Sequence, residues 1–369
     1  MKGDDDLSWF KSKEFKQVTT LFIISRFVIF FLFSIFAIRD IFHANSITYC
    51  LHSIYDAFSF YDAQFYLRIS IFGYAADKWY AFFPIFPILI NLLAKLGLNH
   101  VFAGLLISNL ANFGSSILFY KLLPENKRKI GLIFWLFSPI AIYTSVIYTE
   151  APFVFFTLLT YKLYKDNKWF LAGITLGLAT STRNVGSMLF LAIFIDSIIK
   201  KIGFKNLFKM FSIATILASI YPIYNFLTMK SFIYFAQVQN TLWNRSSVLP
   251  FMSIYRDISR WNLYKPSSKV MIVLNIISLI VLIYFLIKNI RNKDNLLLNM
   301  YLVFGILAPL TSSYHNSQPG TTSMIRFIFA LFPLYFYFPE DKHYQKFLIL
   351  FVEMGLIILF AYARNIFLA

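Results

Sequence analysis

The sequence predicts an all-α polytopic membrane protein that forms a single domain over residues 1–369. Of its residues, 59% are hydrophobic, 20% are aromatic and only 14% are charged, and the mean hydropathy is +0.65. Soluble domains carry more charge and less apolar surface than this. A helix that crosses the hydrocarbon core needs about 20 apolar residues, so the chain has room for about eleven helices with short connections. No room is left for a separate soluble domain.

The distribution of basic residues predicts the orientation of these helices. The formal net charge is +17, but the basic residues do not form one patch interleaved with aromatic residues, which argues against nucleic-acid binding. Many fall in six short clusters between apolar runs, and cytosolic loops are enriched in Lys and Arg. We therefore assign the clusters to the cytosol. They are Lys2, Lys11, Lys13 and Lys16; Lys121, Lys127, Arg128 and Lys129; Lys162, Lys165 and Lys168; Lys200, Lys201, Lys205 and Lys209; Lys288, Arg291 and Lys293; and Lys342 and Lys346.

The helices between the clusters must come in pairs. The first follows four lysines without a small-residue cleavage site, which predicts a retained signal anchor. Residues 83–97 are also apolar, but Pro84 and Pro87 disfavour a straight helix there and a crossing would place Lys127 outside. We predict an interfacial or re-entrant helix in this stretch. The predicted spans are 21–38, 101–121, 130–148, 151–164, 169–182, 186–200, 210–228, 270–288, 296–310, 326–338 and 346–363.

This topology leaves two long segments on the non-cytosolic side, a first loop at 39–100 and a second segment at 229–269. In the first loop, Asp62 lies in an aromatic, helix-like stretch. A carboxylate close to an apolar surface is a stronger base than one in water, which suits a general base. A solvated or salt-bridged loop aspartate is the alternative interpretation.

Two further acids on this side, Asp77 and Glu150, lie next to apolar runs. Glu150 falls between two predicted spans with almost no loop, and an acid at the membrane surface is unfavourable unless it is used or paired. Alternatively, Glu150 stabilises the N-terminus of the helix that begins near Pro152. A solvated loop acid is the alternative for Asp77.

Arginines interrupt the apolar runs at Arg183 and Arg326, on the side where an excess of basic residues is not expected. A guanidinium group suits bidentate binding of phosphate. Snorkelling, or an ion pair with Glu150 or Asp62, is the alternative. Moving a sugar from a lipid phosphate to a hydroxyl requires an acid–base group and a cation for the leaving phosphate, so these residues together are consistent with such a site.

Four sequence blocks carry a family resemblance, in one order between about residues 56 and 338. They are YDAQFYLRISIFGY with AFFPIFP, SPIAIYTSVIYTEAPF, GLATSTRNVG and IRFIFALFPLYFYF. The pattern resembles the PIG-V family, the second mannosyltransferase of glycosylphosphatidylinositol anchor assembly, and its prokaryotic relatives. The resemblance implies a GT-C glycosyltransferase fold, a catalytic Asp in a large first lumenal loop, and a polyprenyl- or dolichyl-phosphate-linked mannose as donor.

Carried over by position, the resemblance implies catalytic roles for Asp62, Asp77 and Glu150 and donor-phosphate binding by Arg183 and Arg326. Candidate acceptor-binding residues are Trp261, Asn262 and His315. Asp62 would deprotonate the acceptor hydroxyl, and the anomeric configuration would invert. Eukaryotic members read Arg-Trp-Asp where this chain has Phe60-Tyr61-Asp62, which is closer to prokaryotic relatives.

The acceptor is therefore open between a glycosylphosphatidylinositol precursor and another glycolipid or glycoprotein. The membrane would be the endoplasmic reticulum in a eukaryote or the plasma membrane in a prokaryote. No cofactor is predicted, because the five histidines show no metal-ligand spacing, although metal assistance is left open. The expected partners are the lipid-linked donor, a glycolipid acceptor, the bilayer and a small membrane subunit. A lipid-linked-sugar flippase or transporter and a non-catalytic subunit are the alternative functions.

Overall fold

The computed structural model describes residues 9–38, 46–290, 295–315, 318–338 and 344–368. Of the basic-cluster residues, Lys2, Arg291, Lys293 and Lys342 lie outside these ranges. The structure is 76% helical with almost no sheet, which confirms the all-α prediction. Five of the described helices are long and apolar enough to cross a membrane. These are α1 (Lys13–Ala37), α5 (His100–Leu122), α10 (Phe204–Met229), α13 (Pro266–Asn289) and α16 (Tyr344–Ala363).

Shorter helices make up most of the remaining structure. Four of them are apolar: α4 (Ile85–Lys95), α8 (Trp169–Thr182), α9 (Gly186–Ile199) and α14 (Leu296–Leu310). The others are α2 (Ile47–Ala57), α3 (Asp62–Phe72), α6 (Arg128–Leu136), α7 (Glu150–Lys165), α11 (Tyr234–Thr241), α12 (Met252–Ser259) and α15 (Met324–Phe329). Two strands, β1 (Arg245–Ser247) and β2 (Ser312–Tyr314), pair antiparallel with Arg245 opposite Tyr314.

Most predicted helices form close to their predicted bounds, and α8 and α14 match them to the residue. Two predicted spans are wrong. The span predicted at 130–148 ends at Leu136, because Pro139 lacks a backbone N–H and disfavours helical geometry at Ser138 before it. The span predicted at 326–338 divides into α15 and a 3-10 helix at Phe332–Phe336, because Pro333 interrupts it.

The chain after α6 stays inside the protein although it is not helical. Residues 138–149 form tight turns and are buried throughout. Arg26 on α1 donates hydrogen bonds to the Leu136 carbonyl at the end of α6 (3.2 Å) and to the Ser145 hydroxyl. The guanidinium therefore replaces part of the hydrogen bonding that a continuing helix would supply. The turns carry Tyr143, Tyr148 and Thr149 to the start of α7.

Close packing of α7, α8 and α10 fixes the positions of Glu150, at the start of α7, and Arg183, at the end of α8. α8 packs between α7 and α10, and α7 also packs against α5. Glycines make the α8–α10 approach close: a Cβ at Gly177 would lie 2.6 Å from Leu217 Cβ, and one at Gly173 would overlap the Met210 carbonyl. α7 begins at Glu150 and ends at Lys165, and α8 ends just before Arg183. The basic cluster of Lys162, Lys165 and Lys168 is thus at the opposite ends of α7 and α8 from Glu150 and Arg183.

Candidate active site

Four of the predicted site residues form one ion network. Arg326 lies between the two acids, with Nη1 2.8 Å from Asp62 Oδ2 and Nε 2.7 Å from Glu150 Oε1. Arg183 Nη1 lies 2.5 Å from the same oxygen of Glu150. The Glu150 side chain is fully buried and that of Arg326 is 5% exposed, whereas the Asp62 side chain is 24% exposed. The ion pairs that the sequence left as an alternative are therefore present.

Each charge sits at the end or in the first turn of a helix. Asp62 and Glu150 are the first residues of α3 and α7, where an acid is favoured by the helix dipole. Arg183 follows the last residue of α8, and Arg326 is in the first turn of α15. These four positions come from four distant parts of the chain, one from each of the four sequence blocks.

Backbone strain accompanies two of the four charges. Tyr61, directly before Asp62, has φ of 53°, and Ser323, three residues before Arg326, has φ of 68°. Non-glycine residues rarely adopt such left-handed conformations, which cost on the order of 1–3 kcal/mol and persist only where surrounding contacts impose them. The fold thus holds both α3 and α15 in orientations that the local sequence alone does not favour.

Tyrosines from the turns after α6 surround the Arg326 guanidinium. Its Cζ atom lies 4.7 Å from the centroid of the Tyr148 ring and 5.1 Å from that of Tyr143, within the range of cation–π attraction. The Tyr148 hydroxyl also accepts a hydrogen bond from the Asp62 backbone N–H at 3.3 Å. The non-helical segment that the sequence did not predict is thus part of the site.

A cavity of about 570 Å³ lies beside the network, a size typical of small-molecule sites. Asp62, Arg183 and Arg326 are in its wall. Part of the wall is aromatic: the rings of Phe65 and Phe82 are stacked at 4.8 Å, and the ring of Trp243 lies edge-on to both. The cavity therefore offers a carboxylate, cations and apolar ring surface to one ligand.

No family model matches this chain, and no curated protein or solved structure matches it. The functional proposal therefore depends on the geometry of the cavity. Within the described ranges, no three His, Cys, Asp or Glu side chains are grouped so that they could hold a metal ion.

Two cations in the cavity wall, Lys78 and Arg245, were missed by the sequence prediction. Lys78 Nζ lies 4.4 Å from the Trp243 ring centroid, and Arg245 Cζ lies 5.4 Å from that of Tyr314. The signal that singled out Arg183, a basic residue on the side where topology does not require one, applies equally to both. Neither residue lies next to a predicted span, which is the feature that distinguished Arg183 and Arg326 in the sequence.

The other predicted site residues lie outside this cavity. Asp77 is exposed in a 3-10 helix at Asp77–Ala81. Trp261 and Asn262 are exposed in another at Trp261–Leu263, where Lys269 Nζ lies 5.6 Å from the Trp261 ring centroid. His315 is exposed, with Nδ1 3.0 Å from Arg256 Nη1. The structure therefore does not bring these four residues together with the ion network.

A buried acid, Asp257 on α12, holds the loop that leads to Arg326. Its carboxylate accepts hydrogen bonds from Gly320 N (2.6 Å), Thr321 N (2.9 Å), Thr321 Oγ1 (2.6 Å) and the Tyr264 hydroxyl (3.1 Å). Burial, and then the Asp257 charge, raise the pKa of Tyr264 to about 12, so its hydroxyl stays a donor at physiological pH. Asn275 accepts a further bond from Ile325 N at 2.9 Å. Arg326 is thus positioned through two buried side chains.

We expect Asp257→Ala to lower the free energy of unfolding clearly, because it leaves the buried N–H groups of Gly320 and Thr321 without an acceptor. Each such loss costs about 1–3 kcal/mol. Tyr264→Phe removes only one of the four bonds and should cost about 1 kcal/mol. Thermal unfolding in detergent measures both. Equal losses in the two variants would show that Asp257 does not hold the loop.

Proposed function

We propose that this protein is a membrane glycosyltransferase that transfers mannose from a polyprenyl- or dolichyl-phosphate donor to a hydroxyl of a glycolipid acceptor. One observation carries the proposal: the Asp62 carboxylate, held by Arg326, lies in the wall of a cavity whose other charged residues are cations. A hydroxyl nucleophile needs a base, and a phosphate leaving group needs positive charge. The cavity brings both to one ligand-sized space.

The arrangement of acids supports inversion at the anomeric carbon. Asp62 is the acid in the cavity wall among the described residues, whereas Glu150 is fully buried behind Arg183 and Arg326. By analogy with glycosidases, retention by a double displacement needs a second carboxylate about 5 Å from the first, able to attack the sugar. We therefore propose that Asp62 takes the acceptor proton while the hydroxyl oxygen attacks directly.

In the proposed reaction Arg326 is a positioning residue for Asp62. It donates to Asp62 through Nη1 and to Glu150 through Nε, so its guanidinium plane is held at two points. A base held in this way does not need to be oriented when the substrate binds, which is a main source of catalytic advantage. Glu150 and Arg183 fix the plane of Arg326 from the buried side.

The finer parts of the proposal are the GT-C fold and the PIG-V relationship, which the four sequence blocks support. The acceptor stays open between a glycosylphosphatidylinositol precursor and another glycolipid or glycoprotein. A lipid-linked-sugar transporter would share the helices and the cations, but it would leave the donor chemically unchanged. Formation of a new glycosidic bond therefore separates the two functions.

We expect the purified protein in detergent to consume polyprenyl-phosphate mannose and to release polyprenyl phosphate when a suitable acceptor is present. Glucosaminyl-phosphatidylinositol and simpler mannolipids are the acceptors to test, and mass spectrometry identifies the product. Polyprenyl-phosphate glucose is the matched control donor, which tests whether transfer is specific for mannose. Detergent removes the second compartment, so transport cannot mimic transfer. Donor binding without any glycosidic product, across the acceptor series, would overturn the proposal.

A further inference from the structure

The charges around the cavity are not all available to a ligand. Arg183 and Arg326 are paired with Glu150 and Asp62, so these four residues are neutral as a group. Lys78 and Arg245 line the same cavity, and neither forms an ion pair with an acid in the part of the chain that the structure describes. The cavity therefore has two positive charges without counter-charges.

The contacts of Arg245 leave most of its guanidinium free to bind. Nε donates to Ser312 Oγ at 2.6 Å, which fixes the group on the β1–β2 pair. Its Cζ lies 5.4 Å from the Phe327 ring centroid, and Arg183 Cζ lies 5.1 Å from the same centroid. Arg245 is thus separated from the ion network by one aromatic ring, with its terminal nitrogens unbonded within the described structure.

Lys78 reaches the cavity from the first loop. Its Nζ lies 4.4 Å from the Trp243 ring centroid, and the Trp243 indole N–H donates to the Lys78 carbonyl at 3.1 Å. Trp243 and Arg245 are two residues apart in sequence, so one short segment positions both cations. An aromatic face holds an ammonium group without neutralising it, and such a group remains able to bind an anion.

We propose that Lys78 and Arg245 bind the phosphate group of a phosphate monoester or phosphodiester ligand in this cavity. They take the role that the sequence suggested for Arg183 and Arg326. The identification of this group as the lipid phosphate of the donor rests on the function proposed above. The group that all these ligands share, before and after the reaction, is a phosphate with at least one unesterified oxygen.

Charge balance explains why two unneutralised cations suit the reaction. The acceptor oxygen forms a bond to the anomeric carbon, its proton passes to Asp62, and the bond from that carbon to the phosphate oxygen breaks. The electron pair of the broken bond stays on the phosphate, which changes from a diester with one negative charge to a monoester with about −1.5 to −2 at pH 7. Lys78 and Arg245 would stabilise the charge that develops.

Binding of farnesyl phosphate to the purified full chain in detergent tests the proposal without requiring transfer. We expect Lys78→Gln and Arg245→Gln each to weaken binding by about tenfold or more, since a charge-assisted hydrogen bond is worth about 1.5–3 kcal/mol. Binding of farnesol, which lacks the phosphate, should stay unchanged. Inorganic phosphate and mannose 1-phosphate, tested as competitors, show whether the subsite accepts a free phosphate or needs the lipid chain.

The chain offers a matched control for each variant. Lys269 lies over the Trp261 ring as Lys78 lies over Trp243, and Arg256 donates to Ser313 Oγ at 3.1 Å as Arg245 donates to Ser312. Neither control residue lines the cavity. Lys269→Gln and Arg256→Gln should therefore bind farnesyl phosphate like the unmodified protein.

The outcomes separate this inference from the proposed function. Phosphate binding that depends on Lys78 and Arg245, in a protein that forms no glycosidic bond, would support the subsite and reject the transferase. Transfer that proceeds while both variants bind farnesyl phosphate normally would reject the subsite alone. Failure of every phosphate compound to bind, or equal weakening by the control variants, would also reject it.

Discussion

Replacing Asp62 by Asn is expected to abolish sugar transfer while the protein stays folded. The amide keeps the size of the carboxylate and a carbonyl oxygen for Arg326 Nη1, which lies 2.8 Å from Asp62 Oδ2. The amide cannot, however, take the proton from the hydroxyl of the acceptor. General base catalysis contributes about 10²–10⁴-fold to the rate, so we expect kcat to fall by at least about 10²-fold. Because Arg326 keeps its bond to Glu150 and the Asp62 side chain is 24% exposed, the loss of stability should be smaller than that expected for Glu150→Gln.

The assay follows mannolipid product by mass, and farnesyl phosphate binding reports whether the cavity is intact. Asp56→Asn is the matched control, since Asp56 lies on α2 in the same first loop and is exposed. It should retain transfer. A near-normal kcat in Asp62→Asn would show that Asp62 is not the general base. Loss of both transfer and phosphate binding would indicate instead that Asp62 shapes the cavity.

Replacing Glu150 by Gln is expected to destabilise the protein rather than to act on catalysis alone. The Glu150 side chain is fully buried and is the counter-charge for both Arg183 and Arg326. Gln leaves two guanidinium groups with only the Asp62 carboxylate between them. Removing one partner of a buried ion pair costs about 3–5 kcal/mol, because the remaining charge stays desolvated. Thermal unfolding and chemical unfolding in detergent measure this loss.

An exposed ion pair of similar length supplies the control. Lys162 Nζ lies 2.5 Å from Asp166 Oδ2, but both side chains are about one-third exposed. Asp166→Asn should therefore cost at most about 1 kcal/mol, because water solvates the remaining lysine. If Glu150→Gln were no more destabilising than Asp166→Asn, the buried network would not be a stabilising unit. A double variant with Arg183→Gln would test whether the surplus charge causes the loss.

The helices were predictable because hydropathy is a local property of the chain. α8 and α14 could be bounded from their apolar runs and the polar residues that flank them. The two wrong spans contain Pro139 and Pro333, and their hydropathy continues past the proline although the helix does not. Hydropathy does not show that Arg26 and the buried turns supply hydrogen bonds to the backbone where α6 ends.

The sequence predicted which charged residues belong to the ion network better than it predicted which of them form ion pairs. Asp62, Glu150, Arg183 and Arg326 could be singled out because charged residues at apolar boundaries are unfavourable unless they are used or paired. Which acid pairs with which arginine depends on tertiary packing across 264 residues of sequence separation, and no local pattern encodes it. Arg245 was missed because it does not adjoin a predicted span, and only the fold brings β1 to the wall of the cavity.

The order in which the ion network can form has a consequence for biogenesis. Glu150 and Arg183 belong to neighbouring helices, so they can neutralise each other soon after α8 emerges from the ribosome. Asp62 is synthesised early, but its partner Arg326 follows 264 residues later. A nascent chain that has not reached α15 therefore lacks the arginine that pairs with Asp62 in the folded protein. The geometry of the ion network is therefore one of the last features to arise, after nearly all of the described helices have been synthesised.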